Sequence, residues 1–543
     1  MNVPNYMKNY RFFIIVIVTF STIFTFISII LPFLNGRFVD LIIGSTDLNE
    51  VIKFAMLIIS LGLFGVLAAY VNNMALVKLA NRSTLDLISN TIGHIQRMPY
   101  DIFVSRFNPA YLVQRINNDA YAVTTFIINN FTMVFLQAGS FIAIMYIMAT
   151  INTQVFLLIL VFMPAYVLCY MLLRKPLYQK NMRLKEDQNH LSKVLFEQMS
   201  QIHVIKAEAS FDNSIRIEKR GFEKYMDSLV KFNRVSYLFT SLDGIIAVVF
   251  QAIVLLIGGI QIVNGKMTLG EFTIVSTYFA MLIASLKYYF NLGRAYQEYK
   301  ASYSRMDEIY SIDVENNGSV KLDSINNIIL DKVTYSYPNQ DMPIIREMSA
   351  RFNKGDIVLI TGKNGAGKST MMNVIMGILQ NIQDGNIKYD GIGISDIDLY
   401  SLRNERMATL LQNSRCPDVT VREYLSDYFA LDEMGIVSLI GIMGLQETFL
   451  GDNFDLSKFW DKRMEALSGG ERQKIMLIKA LGKGKDIVVL DEPSTGLDVK
   501  TMNDITDYLD VTRKSRICII ISHDSIFERI SNSIINFERN NIK

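Results

Sequence analysis

Apolar residues gather along this chain into long windows: Phe12–Leu34, Phe54–Val77, Tyr121–Thr150, Gln154–Leu173, Val235–Gly265 and Phe272–Leu292. About 20 mainly apolar residues suffice to cross a bilayer as a helix, so each window reads as a membrane span. The third and fourth form one stretch, Tyr121 to Leu173, without a single Asp, Glu, Lys or Arg. A turn near Ala149–Gln154 would divide it, giving six spans. Buried core helices of a soluble protein are excluded by the length of these windows and their lack of charge. A cleavable signal peptide does not fit either, because the first run is about twice the length of a signal core.

The polar segments between the windows set the expected orientation. Lys78 to Arg115 carries five Lys or Arg and Arg174 to Arg234 carries thirteen, whereas connections such as "ATINTQ" and "IVNGKMT" are short and nearly uncharged. Basic connections remain cytoplasmic, which places both termini inside. These two segments are also too long to be turns, and each reads as a pair of membrane helices prolonged into the cytoplasm and joined there.

Helical patterning continues after the sixth window through "GRAYQEYKASYSRMDEIYSI" and breaks in "DVENNGSVKLDS", Asp313–Ser324. The expected organisation is a transmembrane domain over 1–312, a linker over 313–324 and a second domain over 325–543. In the second domain short β-rich runs ("NIILDKVTYSY", "DIVLIT", "DIVVLDEP", "ICIIISH") alternate with helical segments, the pattern of an α/β domain with a mainly parallel sheet. The 543 residues suffice for two or three domains.

Composition adds little beyond this. Hydrophobic residues make up 50% of the chain, mean hydropathy is +0.24, and net charge is only +2, so nothing points to a nucleic-acid partner. Cys169, Cys416 and Cys518 are scattered without metal-ligand spacing and read as ordinary thiols of a reducing compartment.

The chemistry is carried by three short motifs. Residues Gly362 to Ser369, "GKNGAGKS", fit G-x-x-x-x-G-K-[ST]. Backbone N–H groups of Gly362, Asn364, Gly365, Ala366 and Gly367 would turn inward around a phosphate, and the helix starting near Lys368, with Ser369 and Thr370, adds its positive end. Lys368 would reach the β- and γ-phosphates and the Ser369 hydroxyl would ligate Mg2+. Alone, so short a pattern also fits a glycine turn that only caps a helix. "DIVVLDEP" supplies a buried strand ending in Asp491, a Mg2+ partner, and Glu492, placed to polarise an attacking water. Between them, "LSGGERQ", Leu467 to Gln473, is a small-residue turn opening a helix, a second anion-binding end. A second such end makes sense if it closes over nucleotide held by another copy of the chain.

Together these motifs resemble the ATP-binding cassette (ABC) transporters of exporter type, in which one membrane domain is fused to one nucleotide-binding domain. The character is closest to bacterial peptide and bacteriocin exporters. The resemblance spans nearly the whole chain, and it implies ATP and Mg2+ as ligands and further site residues. Tyr337 in "YSYPNQ" matches the aromatic that stacks on adenine, and Gln412 in "TLLQNS" matches the glutamine that touches Mg2+ and water. Ser468, Gly469 and Gly470 match the signature that contacts the γ-phosphate across a dimer. Asp498 in "STGLD" matches the D-loop, and His523 in "IIISHD" the switch histidine. Coupling helices are expected near Tyr100–Asn108 and Ala207–Asn213. Two segments depart from the family pattern: "DLSKFWDKRMEA" before the signature and "NSRCPDVTVREYL" after Gln412.

With the motifs intact in one chain, the resemblance implies a homodimer of twelve membrane helices with two competent ATP sites. Polar residues within the spans, Asn129, Asn130, Gln137, Asp243, Gln251 and Lys287, are candidates for cargo contact, because polar groups at bilayer depth face a cavity or a partner. The expectation is a chain that does not resemble the subclass that trims leader peptides, since no peptidase domain is read before the first window. The expected function is export of a peptide or peptide-like natural product. A lipid or lipid-linked saccharide flippase, a small-molecule efflux pump, and a regulator that moves nothing stay open as alternatives.

Overall fold

The computed structural model describes residues 10–44, 47–107, 109–338, 340, 342–412, 417–426, 433–446, 459–482 and 484–537. Two compact units emerge. One comprises the chain up to Ile88 together with Asn117–Asp307, the other Ser89–Ile116 together with the chain from Glu308 onward.

Long helices dominate the first part of the chain: α1 (Arg11–Gly44), α2 (Leu48–Gln96), the short α3 (Tyr100–Arg106), α4 (Pro109–Ile151), α5 (Thr153–Ser200), the short α6 (Ile202–Ala207), α7 (Phe211–Val263) and α8 (Leu269–Tyr310). Among the described residues, Arg11–Gly44, Leu48–Gln96, Arg115–Ile151 and Leu269–Tyr310 are long and apolar enough to cross a membrane. The other two expected spans lie in α5 and α7, whose described apolar stretches, Thr153–Pro164 and Val248–Val263, are shorter. The charge-free stretch does divide where a turn was expected. Asn152 leaves the helical conformation, and its side-chain oxygen accepts hydrogen bonds from the N–H groups of Gln154 and Val155 at 3.1 Å. That cap starts α5 by satisfying donors that have no partner within the helix.

Inside the first unit, α4, α5, α7 and α8 share an apolar core that includes Ile144, Ile159, Val254, Tyr278 and Leu282. Within it the Phe250 ring packs, tilted by 32° and 33°, against Phe162 at 3.8 Å and Phe279 at 4.3 Å between ring centroids. Asp40 at the end of α1 accepts from the N–H of Gly270 and the hydroxyl of Thr268, both at 2.8 Å, and so caps α8. In the charged halves of α5 and α7, Asp187 is buried, accepts from the Ser228 hydroxyl at 2.5 Å and lies 3.2 Å from Lys224. Those hydrogen bonds, with the charges of Lys224 and Arg183, hold its carboxyl below the usual range against the opposing effect of burial.

The second unit is built on two sheets. Antiparallel strands β1 (Asn327–Tyr335), β2 (Ile345–Asn353), β4 (Ile382–Tyr389) and β5 (Ile392–Gly393) take the order β2-β1-β4-β5. Parallel strands β3 (Ile357–Thr361), β6 (Met407–Leu410), β7 (Ile487–Asp491), β8 (Ile517–Ile521) and β9 (Ser533–Asn536) take the order β6-β7-β8-β3-β9. Strands β7 and β8 are buried along their whole length, so "IVVLD" and "ICIII" read as continuous apolar runs rather than alternating ones. Helices α9 (Lys368–Ile375), α10 (Val421–Ser426), α11 (Glu433–Ile442), α12 (Gly469–Gly482) and α13 (Val499–Thr512) complete the α/β layout.

This unit also includes the far end of α2, α3 and the start of α4. The N–H of Glu315 donates to the carbonyl of Arg97 at 2.6 Å, and the Glu315 carboxylate, nearly buried, accepts from Arg403 at 2.8 Å. His94 Nε2 lies 3.0 Å from the Ile312 carbonyl. The polar segment that follows α8 is thereby held rather than loose.

Candidate functional site

Three parallel strands end side by side. Ile360 of β3 pairs with Ile521 of β8, and Ile521 pairs with Asp491 of β7. Their carboxyl ends therefore carry residues 362–369, 522–523 and 491–492 to one edge, where ligands bind in open parallel sheets. Leu410 of β6 pairs with Leu490, and that register carries Gln412, which is exposed, to the same edge.

The glycines of the cradle have a steric reason. Gly362, Gly365 and Gly367 adopt φ of +141°, +82° and +103°, a region that side chains disfavour. A Cβ on Gly367 would come within 2.7 Å of Ile344 Cγ2, and one on Gly362 within 2.9 Å of Phe537 Cβ. Gly367 is the N-cap of α9, so the N–H groups of Lys368, Ser369 and Thr370 belong to its open first turn. Lys368 is buried; its ammonium donates to the carbonyls of Gly362 at 2.5 Å and Lys363 at 3.3 Å and lies 3.1 Å from His523 Nε2.

Around this cradle stand two carboxylates. Ser369 Oγ donates to Asp491 Oδ2 at 3.3 Å. Burial pushes the Asp491 carboxyl up, with the Ser369 hydroxyl and the Lys368 charge pulling it back. Glu492 sits at φ +49° and lies 3.8 Å from His523 Nε2. Burial also raises the Glu492 carboxyl, opposed first by His523. Tyr337 approaches from β1: its hydroxyl lies 3.4 Å from Thr370 Oγ1, and its ring meets Tyr335 edge-on at 5.3 Å. The fold thus gathers Tyr337, Lys368, Ser369, Thr370, Asp491, Glu492 and His523.

The donor set fits a nucleotide and a hard cation. A buried ammonium and an open helix turn sit at the mouth of a glycine cradle, which suits phosphate oxygens. Ser369 Oγ and the Asp491 carboxylate are oxygen donors of the kind Mg2+ takes alongside phosphate and water. Among the described residues no group of three His, Cys, Asp or Glu could enclose a metal.

Ser468, Gly469, Gly470 and Asp498 make a separate cluster within this chain. The N–H of Ser468 donates to Glu471 Oε2 at 2.7 Å and Ser468 Oγ accepts from the Glu471 N–H at 3.3 Å, a reciprocal cap for α12. A Cβ on Gly470 would stand 2.8 Å from the Gly496 carbonyl, so only glycine lets that loop approach. Asp498 caps α13, accepting from the Thr501 N–H at 2.9 Å, its hydroxyl at 2.8 Å and Lys474 at 3.2 Å. Those partners hold its carboxyl far below the usual range.

Several span residues offered as cargo contacts have partners inside the protomer. Asn130 Oδ1 accepts from the Tyr288 hydroxyl at 3.2 Å, Gln137 Oε1 from Ser285 at 2.9 Å, and Gln251 Nε2 donates to Ser276 at 2.8 Å. These amides tie α8 to α4 and α7. Asn129 is exposed, Lys287 is half-buried, and the Asp243 side chain lies outside the described residues, as do those of Cys169 and Cys416. Cys518 is a buried free thiol.

One pairing has no local signal in the sequence. The segments that depart from the family pattern meet. Val421 N–H donates to the Lys462 carbonyl and Met464 N–H to that of Val419, each at 2.9 Å. Arg463 grips Asp418, with Nε at 2.8 Å and Nη2 at 2.5 Å, and Arg422 lies over the Trp460 ring at 5.5 Å.

Comparison with known proteins bears on this arrangement. Residues 14–286 match the family described as the ABC transporter transmembrane region, and residues 345–495 match the one described as ABC transporter. A mesentericin transport/processing ATP-binding protein of Leuconostoc mesenteroides is 22% identical over 96% of this chain and 72% of its own length. A lactococcin-G processing and transport protein of Lactococcus lactis is 24% identical over 96% and 75%. The ATP-dependent lipid A-core flippase of Escherichia coli is 24% identical over 92% and 85%. A solved structure, a bacterial Atm1-family ABC exporter with ATP bound, superposes with a TM-score of 0.82 at 18% identity, covering 97% of this chain and 93% of that one.

Proposed function

Because this chain belongs to the ABC transporters, with a helical membrane domain followed by an α/β nucleotide-binding domain, we propose that it is an exporter driven by ATP held at the cradle of Gly362–Thr370. It is an ATP-hydrolysing membrane transporter with the exporter fold. The observation that carries the site reading is the convergence of Lys368, Ser369, Asp491, Glu492 and His523 at the ends of β3, β7 and β8. The domain limits we assign are 1–312, 313–324 and 325–543.

In this reading Tyr337 stacks on adenine and the amides of Gly362, Asn364, Gly365, Ala366 and Gly367 receive the phosphates. Lys368 moves its hydrogen bonds from the Gly362 and Lys363 carbonyls to phosphate oxygens. Ser369, Asp491 and Gln412 would hold Mg2+, which supplies charge neutralisation at the phosphates. Glu492 orients a water whose oxygen attacks the γ-phosphorus, the bond to the β-phosphate oxygen breaks, and ADP and phosphate leave. His523, within reach of both Lys368 and Glu492, steadies the γ-phosphate. Ser468, Gly469, Gly470 and Asp498 complete the site of a second copy, so the working unit is a homodimer. Closure and release of that pair reset the membrane helices, provided each state binds ATP and cargo with different affinity. Both termini and the nucleotide-binding domain lie in the cytoplasm and the helices in the cell membrane.

For cargo we favour a peptide or peptide-like natural product, supported by the two bacteriocin-transport relatives that align over 96% of the chain. Movement of a lipid or lipid-linked saccharide is the second reading, favoured by the lipid A-core flippase relative of equal identity. ATP hydrolysis by the full chain in lipid nanodiscs, measured against panels of small peptides and of lipids, separates them. Saturable stimulation by one peptide class, lost in Glu492→Gln, supports peptide export; stimulation by a lipid class alone sinks it.

A further inference from the structure

Tyr335 carries a buried polar group that its fold does not use. The side chain is fully enclosed, and its hydroxyl finds no hydrogen-bond partner among the described residues. Leaving a donor unpaired in a protein interior costs free energy, so such a group in a native fold calls for an explanation.

Its surroundings supply one. Asp101, on α3, is buried too. One carboxylate oxygen accepts from the N–H of Ile102 and the other from Asn381 Nδ2, each at 2.8 Å. Asn381 directly precedes β4, and the first residue of that strand, Ile382, pairs with Tyr335. The register of β1 and β4 therefore sets Asn381, which holds this acid, beside the residue that pairs with Tyr335. Burial, and then the negative charge of Asp101, push the Tyr335 phenol above its ordinary range. On the other side, the Tyr335 ring meets Tyr337 edge-on, at 84° between planes.

We infer that Asp101 has two alternative donors, Asn381 and the Tyr335 hydroxyl, and that exchange between them links the Tyr337 platform to α3. The inference rests on the reading of Tyr337 as the residue that stacks on the nucleotide base. A base laid on Tyr337 shifts the Tyr335–Tyr337 ring pair, the unpaired Tyr335 hydroxyl gains Asp101 as its acceptor, and the bond to α3 passes from Asn381 to Tyr335. By reciprocity, a movement of α3 that withdraws Asp101 weakens base binding by the same factor. Asp101 and Tyr335 are positioning residues here; neither touches the nucleotide.

Tyr335→Phe tests this sharply, because it deletes only a hydroxyl that lacks a partner. If the static contacts were all, the variant would melt no lower than the parent and bind ATP equally well. The relay requires instead that KM for ATP rise about fivefold, the worth of one ordinary hydrogen bond, with kcat nearly unchanged. Inorganic tripolyphosphate, which has no base, should inhibit parent and variant with the same constant. Asp101→Ala, which removes the acceptor, should raise KM similarly, and Tyr335→Phe/Asp101→Ala should be no worse than Asp101→Ala alone. All are measured on the full chain in nanodiscs, beside Tyr337→Ala. If Tyr337→Ala raises KM while Tyr335→Phe does not, the relay is overturned and the base platform stands. If Tyr337→Ala leaves KM unchanged, the platform fails and the relay with it.

Discussion

The N–H of Glu492 donates to the carbonyl of Ile521 at 2.9 Å, tying the acid that follows β7 to the strand that leads into His523. This bond, with a left-handed backbone at Glu492, sets the 3.8 Å approach of the two side chains. A residue held in that conformation stores strain of a kind that collects at working sites.

Replacing Glu492 by Gln should lower ATP hydrolysis about a hundredfold or more, the usual scale for a group that assists proton transfer. Its effect on stability should have the opposite sign. The Glu492 carboxyl is raised in the fold, so its favourable contribution belongs to the protonated form and is lost as pH rises through the folded value. At neutral pH the buried charge is a burden, and Glu492→Gln should melt at a higher temperature than the parent. The acid limb of the activity profile should likewise lie above the ordinary glutamate range. Equal hydrolysis by parent and variant would remove Glu492 from the mechanism.

Gly367→Ala tests the cradle. Its φ of +103° and the 2.7 Å approach to Ile344 Cγ2 both oppose a side chain. The cost should be about 1–3 kcal/mol at that residue. Nucleotide binding, followed by a fluorescent ATP analogue, should weaken at least in proportion. Unchanged binding would mean that the loop can adopt another shape.

In the first unit, Ser228→Ala should destabilise by about 1.5–3 kcal/mol, since it removes a hydrogen bond to a buried carboxylate. Because the Asp187 carboxyl is lowered in the fold, its contribution is complete above the ordinary aspartate value. It fades as pH falls through the lower, folded value. Thermal melting of parent and variant should differ at pH 7 and converge on acidification; a gap independent of pH would contradict the assignment.

Arg463→Ala probes the meeting of the two divergent segments. The Arg463–Asp418 pair is largely exposed, and such pairs contribute up to about 1 kcal/mol. The backbone bonds at Val421 and Met464 should therefore persist, and hydrogen exchange at those two amides should stay slow. Fast exchange in the variant would show that the ion pair, rather than the backbone, holds the segments together.

Much of the architecture was legible in the sequence because it depends on local chemistry. Windows of twenty apolar residues become long helices whatever surrounds them, and Asn152 breaks the charge-free stretch because its own side chain can cap the next helix. The continuous apolar runs of β7 and β8, and the glycines before Lys368, likewise express needs that neighbours in sequence reveal. Partner choice across long separations had no such local signal. Asn130, Gln137 and Gln251 stood out as polar groups within apolar spans, yet only packing decided that Tyr288, Ser285 and Ser276 would satisfy them. Arg463 and Asp418 lie 45 positions apart, Asp101 and Asn381 280. Sequence by itself determined the elements, the phosphate motif and the family resemblance. Tertiary structure alone decided which buried hydrogen-bonding groups meet, because that depends on strand register and helix packing rather than on any residue's immediate neighbours.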